Sequence, residues 1–135
     1  MFVDTWAWVA LAVVDDTNHQ RAFAAMDALR ASRAKLVTSN FVVAETLTRL
    51  RYDASLQMAL RVAEEVAAMD ELGRLQLVVV DGPLWQAALN WFRRFQDQRF
   101  SFVDCTSFAI MHSLGIDEAL TADRHFATAG FVPLG

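Results

Sequence analysis

The sequence predicts an α/β fold with a mostly parallel sheet, and three features predict it. Short apolar stretches alternate with segments of helical length along the whole chain, the rhythm of βαβ units. One of them, Leu75-Gln-Leu-Val-Val-Val-Asp81, is a near-continuous β-branched run of the kind buried on both faces of a parallel sheet. Acids stand at or just beyond the ends of several stretches, where open α/β sheets place their ligands. At 135 residues and 55% hydrophobic composition, residues 1–135 read as one domain, large enough to bury a core and too short for two ordinary ones.

Phe2 to Asp4 is a very short strand, apolar until the acid, and Thr5 to Val14 follow as a helical or irregular segment carrying Trp6, Trp8 and Leu11. Asp15-Asp16-Thr17-Asn18 is a turn and N-cap cluster that launches a helix from about His19 to Ser32, with Ala22, Phe23, Met26 and Leu29 on one face. Leu36-Val37-Thr38 is the second strand. Ser39-Asn40 begins a helix reaching about Tyr52, with Val43, Leu47 and Leu50 on its buried side and Glu45 nearly opposite Leu47. Ala54 to Glu71 is a longer amphipathic helix whose apolar arc holds Leu56, Leu60, Ala63, Val66 and Ala67, and with its predecessor it makes an αα-hairpin.

After the Leu75 strand, Gly82-Pro83 opens a helix with proline at an early position. There Leu84, Trp85, Ala88, Leu89, Trp91, Phe92 and Phe95 cover more than half the circumference. Packing on a sheet needs less, so the excess fits a subunit or partner surface as well as core. Phe100 to Gly115 reads as a helix packed all round. Glu118 to Thr121 is a short strand, Ala122 to Ala127 a turn or single helical turn, and Phe131 to Leu134 a last edge strand, where Pro133 is tolerated.

Composition bounds the setting. The single cysteine, Cys105, rules out an internal disulfide and points to a reducing compartment. The apolar N-terminal run lacks a basic leader, is broken by Asp4 and ends at Asp15-Asp16, which argues against a signal peptide or membrane span. A cytoplasmic protein is expected. A net charge of −4 argues against holding nucleic acid by bulk electrostatics. Local use stays open: all but one of the twelve basic residues are arginines, clustered as Arg30/Arg33/Lys35, Arg49/Arg51 and Arg93/Arg94/Arg99. Planar guanidinium groups suit phosphate, although a solvated helix face explains any one of them better.

Four acids sit in apolar company: Asp4, Glu45, Asp104 and Asp123. Each has a structural explanation when taken singly. Asp4 and Asp123 could cap or turn, Glu45 could pair with Arg49 one helical turn on, and Ser101-Phe-Val-Asp104 fits a capping box. Together they change the reading. Asp4 and Asp123 lie at or just after strand ends, and Asp104 and Glu45 lie in the first or second turn of helices, so a parallel sheet could bring all four to one edge.

Gathered carboxylates cannot ionise together without a counter-charge, because like charges a few ångströms apart raise each other's pKa. A divalent metal answers this, and an all-oxygen donor set is hard, pointing to Mg²⁺ or Mn²⁺ with waters completing the octahedron. Zinc is disfavoured, since one cysteine and the scattered His19, His112 and His125 give no ligand spacing. Each histidine reads as a surface or packed residue, with His125 beside Asp123 held in reserve. No Walker loop, G-x-G-x-x-G or Ser-His-Asp series is present, and metal-assisted phosphodiester hydrolysis suits these residues best.

Phe-Val-Asp4-Thr, Ser-Asn-Phe-Val-Val-Ala-Glu45-Thr-Leu, Phe-Val-Asp104-Cys-Thr-Ser-Phe-Ala and Leu-Thr-Ala-Asp123-Arg-His-Phe, in that order and spacing, resemble the PIN-domain ribonucleases and, in size, the VapC toxins of bacterial toxin–antitoxin pairs. The resemblance covers essentially the whole chain. It implies an α/β/α sandwich around a parallel sheet, a Mg²⁺- or Mn²⁺-dependent endoribonuclease acting on RNA, a homodimer, and silencing by a VapB-type antitoxin. Asp4, Glu45, Asp104 and Asp123 match the family's acidic quartet; Thr5 and Thr121 match flanking hydroxyl positions, and Ser107 falls one turn after Asp104. In that scheme Asp4 and Asp104 bind the metal most directly, Asp123 binds it through water or holds a second ion, and Glu45 ligates or orients the attacking water. Trp6 departs from the pattern, standing where many relatives carry serine. Two rival readings are a non-catalytic interaction domain of the same fold and an aspartyl-nucleophile phosphatase. The second lacks the further acid of a D-x-D motif, and Lys35 is its only lysine.

Overall fold

A computed structural model describes all residues from Met1 to Gly135. The chain runs β1 (Phe2–Val3), α1 (Thr5–Ala12), α2 (His19–Ala31), β2 (Leu36–Ser39), α3 (Asn40–Asp53), α4 (Leu56–Glu71), β3 (Leu75–Val78), α5 (Gly82–Arg94), α6 (Phe102–Leu114), β4 (Glu118–Leu120), α7 (His125–Thr128) and β5 (Val132–Pro133). The five strands form one parallel sheet in the order β3-β2-β1-β4-β5, sandwiched between helical layers. Phe2 sits opposite both Val37 and Ala119, so the shortest apolar stretch in the chain occupies the middle of the sheet. Strand order reverses at β1, where β2 lies on one side and β4 on the other. A crevice at such a reversal is where open α/β sheets hold ligands.

β2 is buried at every position, and its polar residues are satisfied: the Thr38 hydroxyl donates to the Val3 carbonyl at 2.8 Å and accepts from the Trp8 indole at 3.3 Å. β3 corrects the expectation from sequence. It pairs with β2 alone and is an edge strand, with Gln76 facing solvent, Leu77 and Val78 half-buried and only Leu75 fully buried. A β-branched run marks extended chain, but it does not say how many neighbours the strand has.

Three helices also turn otherwise than their apolar residues suggested. On α2, Ala22 and Met26 are buried while Phe23 is exposed. On α3 the fully buried stripe is Val42, Thr46 and Leu50; Val43 and Leu47 are half-buried. Thr46 enters the core because its hydroxyl folds back on the Val42 carbonyl at 2.8 Å. On α4 the buried stripe is Ala59, Val62 and Val66, and Leu56, Leu60 and Ala67 face outward. The buried stripe of α4 is thus made of small and branched residues, and its leucines face outward.

α6 matches the expectation of a helix buried on all sides, from Cys105 through Met111. Phe108 is the hub of the core here, with the rings of Trp91, Phe100, Phe126 and Phe131 all within 5.6 Å centroid to centroid. α5 divides its aromatic excess: Trp91 and Phe95 pack inward, while Trp85 and Phe92 stay partly exposed against Phe102, with Phe41 of α3 beside Trp85.

Candidate metal centre

Asp4 follows the last residue of β1 and occupies the N-cap position of α1, in extended backbone, yet its side chain makes no capping bond. The carboxylate instead accepts the Thr121 hydroxyl at 2.9 Å, across the β1–β4 crevice. Thr121 in turn accepts the Asp123 amide at 3.0 Å, so one buried hydroxyl ties the first acid to the backbone of the last. The Asp123 carboxylate accepts the His125 amide at 2.9 Å, a turn that carries the imidazole back over the site.

Asp104 enters from the first turn of α6 and does have the structural role its sequence allowed. Ser101 accepts the Asp104 amide and Asp104 Oδ2 accepts the Ser101 amide, each at 3.0 Å, completing a capping box. The box fixes the carboxyl plane and leaves Oδ1 without a hydrogen bond. Oxygens of Asp104 and Asp123 and a ring nitrogen of His125 all lie within 4.8 Å of one another. His125 Nδ1 is 3.5 Å from Asp104 Oδ2 and 3.3 Å from Asp123 Oδ1, shielded from solvent and without hydrogen-bond geometry to either.

The electrostatics rank the acids by depth. Burial, first of all, pushes the Asp4 carboxyl up to about 7; the charges of Asp104 and Glu45 add to the rise, and hydrogen bonds from the Thr5 amide and Thr121 hydroxyl oppose it. Asp104 is raised for the same first reason, with Asp123 adding to it and the Ser101 amide and His125 working against it. Glu45 is half-buried, near enough to raise Asp4, and makes no ion pair with Arg49. The helix-surface pair that competed for Glu45 is therefore not formed.

Two supporting hydroxyls differ in what they do. Thr5 Oγ1, on the residue after Asp4, is buried with no partner in the protein, an orphan polar atom. Ser107 donates to the Val103 carbonyl at 3.1 Å within its own helix and reaches no carboxylate. His125 is the residue sequence reading undervalued. The signal that could have found it is local: two residues after an acid in an Asx-type turn, a histidine ring is brought back to that acid's oxygens. Two grouped carboxylates, one of them raised by burial, and an imidazole nitrogen left without a partner fit a divalent cation that would satisfy them together.

The chain belongs to the PIN domain family, whose model matches residues 1–132. Among curated relatives it is 38% identical over 133 residues to the 23S rRNA-specific endonuclease VapC20 of Mycobacterium tuberculosis strain H37Rv, a match spanning 98% of this chain and 95% of the relative. The same figures hold for the protein of that name from strain CDC 1551 / Oshkosh. The crystal structure of M. tuberculosis VapC20, described as a sarcin-ricin loop cleaving toxin, superposes with a TM-score of 0.84 at 35% identity, over 97% of this chain and 95% of that one. FitAcB from Neisseria gonorrhoeae shares the fold at 16% identity, with a TM-score of 0.67 over 99% and 96% of the two chains.

Proposed function

We propose that this protein is a VapC-type endoribonuclease that hydrolyses RNA phosphodiester bonds with Mg²⁺ or Mn²⁺. The observation that carries the reading is the grouping of Asp104 and Asp123 with His125, with Asp4 tied to the Asp123 backbone through Thr121 and close enough to Asp104 and Glu45 for their charges to raise it. Asp104 and Asp123 would hold the cation, with Asp4 beneath them and Glu45 placed to orient water. The chemistry that such an ion supplies is the acidification of water near neutral pH and the neutralisation of charge building on the phosphodiester oxygens.

The protein's own residues do the rest. Thr121 aims the Asp4 carboxylate, and the capping box holds Asp104 still. The specificity of the relative makes large-subunit ribosomal RNA the first substrate to test. A cytoplasmic homodimer controlled by a VapB-like antitoxin is part of the same proposal; the half-exposed Trp85 and Phe92 supply an apolar face for a protein contact. No helix is long and apolar enough to cross a membrane.

Purified protein incubated with ribosomes or 23S rRNA, with Mg²⁺, Mn²⁺ or EDTA, tests the reading. Cleavage at a discrete site is expected with either ion, and Asp104→Asn and Asp4→Asn should each lose at least about a hundredfold in rate, the scale of removing one electrostatic contact to the transition state. Cleavage that persists in EDTA, or in both variants, removes it.

A further inference from the structure

At the opposite end of the sheet from the carboxylates, where β2 and β3 begin, a groove encloses about 1050 Å³. Its floor is apolar, with Leu36, Leu75 and Ile116 among its residues, and its rim carries Arg30, Arg33, Lys35 and Arg74. All four cations are exposed and none forms an ion pair. Asp70 is the one acid lining the groove, and its carboxylate accepts the Leu77 amide at 2.9 Å.

The groove is framed by the C-terminal ends of α2, α4 and α6, which all close in the same way. The amide one residue past a left-handed position returns to the helix in each: Ala34 to Leu29, Arg74 to Met69 and Ile116 to Met111, at 2.8–2.9 Å. At the left-handed position α4 uses Gly73 (φ 70°) and α6 uses Gly115 (φ 65°). α2 uses Arg33, at φ 55°, the one non-glycine residue in the chain with positive φ. A side chain there is strained where glycine is not. Helix C-termini attract cations, which accounts for Arg30 and Arg74 without any ligand. It does not account for an arginine at the one position where two neighbouring helices show that glycine fits. Strained backbone that persists at a surface groove is a mark of function.

We propose that this groove is a second binding site, for a nucleotide phosphate, with Arg33 as its principal anion ligand. Guanidinium groups on a rim match phosphate oxygens, and a flat apolar floor takes the base or sugar. The phosphate can come from a free nucleotide or from the backbone of an RNA chain; the chemistry is the same. The site is independent of the cleavage reading, since none of Asp4, Glu45, Asp104, Asp123 and His125 lines it.

The test is a titration of the ¹⁵N-labelled full chain, in EDTA, with ADP, pyrophosphate, adenosine and a short oligoribonucleotide. ADP and pyrophosphate should shift the amides of Leu36, Leu75 and Ile116 saturably and more weakly as salt rises; adenosine should not. Arg33→Gly should bind ADP about tenfold more weakly, the scale of one charge-assisted contact, while its melting temperature holds or rises. Arg74→Ser should weaken binding without touching the strained position, and Asp104→Asn should bind ADP as the parent does. Shifts of the same amides with the oligonucleotide identify an RNA contact, and shifts with ADP alone identify a free nucleotide. The proposal fails if neither phosphate probe moves those amides, if adenosine binds as ADP does, if both arginine variants bind like the parent, or if Arg33→Gly loses stability.

Discussion

Removing the charge of Asp4 should stabilise the metal-free protein, and by an amount that depends on pH. Its carboxyl titrates near 3.8 in the unfolded chain and near 7 in the fold, chiefly because burial penalises the ion. Between those values the folded state holds more protons than the unfolded one, so stability falls as pH rises. The penalty is absent below about 3.8 and complete above about 7. At about 1.4 kcal/mol per pH unit it reaches about 4 kcal/mol at most. Asp4→Asn keeps the shape and can still accept the Thr121 hydroxyl, but it has nothing to ionise. In EDTA its melting temperature should match the parent's near pH 4 and exceed it by up to roughly 10 °C at pH 8, for a domain of this size. Adding Mg²⁺ or Mn²⁺ at pH 8 should raise the parent well above its metal-free value and the variant much less. The measurement is a pair of thermal melts across pH, with and without metal. Parallel pH profiles for parent and variant would refute the claim that this carboxylate is buried against its charge.

Two further outcomes follow from neighbouring groups. His125→Ala should leave the fold near parental stability but weaken Mn²⁺ binding about 10–100-fold, read by calorimetric titration, because the ring sits against two carboxylates and fixes their approach. Unchanged affinity would make His125 a packing residue on Phe100. Ser101→Ala should cost about 1 kcal/mol in urea unfolding, the scale of a lost cap, and should also slow cleavage because Asp104 loses the constraint on its plane; loss of stability alone would mean that the box serves only the helix.

Much of the fold was legible because chain-local signals decided it. Ser39 and Ser55 accept the amides of Val42 and Met58, Asp81 accepts that of Leu84, and Ser101 with Asp104 closes a full box, so helix starts stood in the sequence as written. What was not legible is relational. β3 looks central by composition and is an edge, because strand order is set by crossovers and not by the strand's own residues. Leu56 and Leu60 look like core and face outward, because helix pairing selects the side that lets backbones approach, here Ala59, Val62 and Val66. Of the four acids, Asp104 and Asp123 gather with His125, while Asp4 and Glu45 stand outside that group and near enough for Glu45 and Asp104 to raise Asp4. In the sequence Thr121 is a flanking hydroxyl named by resemblance and His125 is held in reserve; the bond from Thr121 to Asp4 and the placing of the ring against Asp104 are pairings of residues far apart, which periodicity cannot show.

The structural bonds of the acids involve the same oxygens that face His125: Asp104 Oδ2 accepts the Ser101 amide and Asp123 Oδ1 accepts the His125 amide. Asp104 closes a capping box through Oδ2 and keeps Oδ1 free of hydrogen bonds, so the bonds that make it look merely structural are the ones that hold it rigid. Asp123 Oδ1 accepts the His125 amide and lies 3.3 Å from the ring of the same histidine, so that bond fixes the carboxylate beside the imidazole. Asp4 goes further: it occupies the N-cap of α1, where a side-chain bond to its own helix was available, and gives that bond up for Thr121 across the crevice. A helix that forgoes its cap, in a position where the carboxylate is also desolvated, is less stable than its sequence allows. Such local cost is what a site under functional selection carries, and it is why neutralising Asp4 should strengthen the apoprotein while disabling the proposed nuclease.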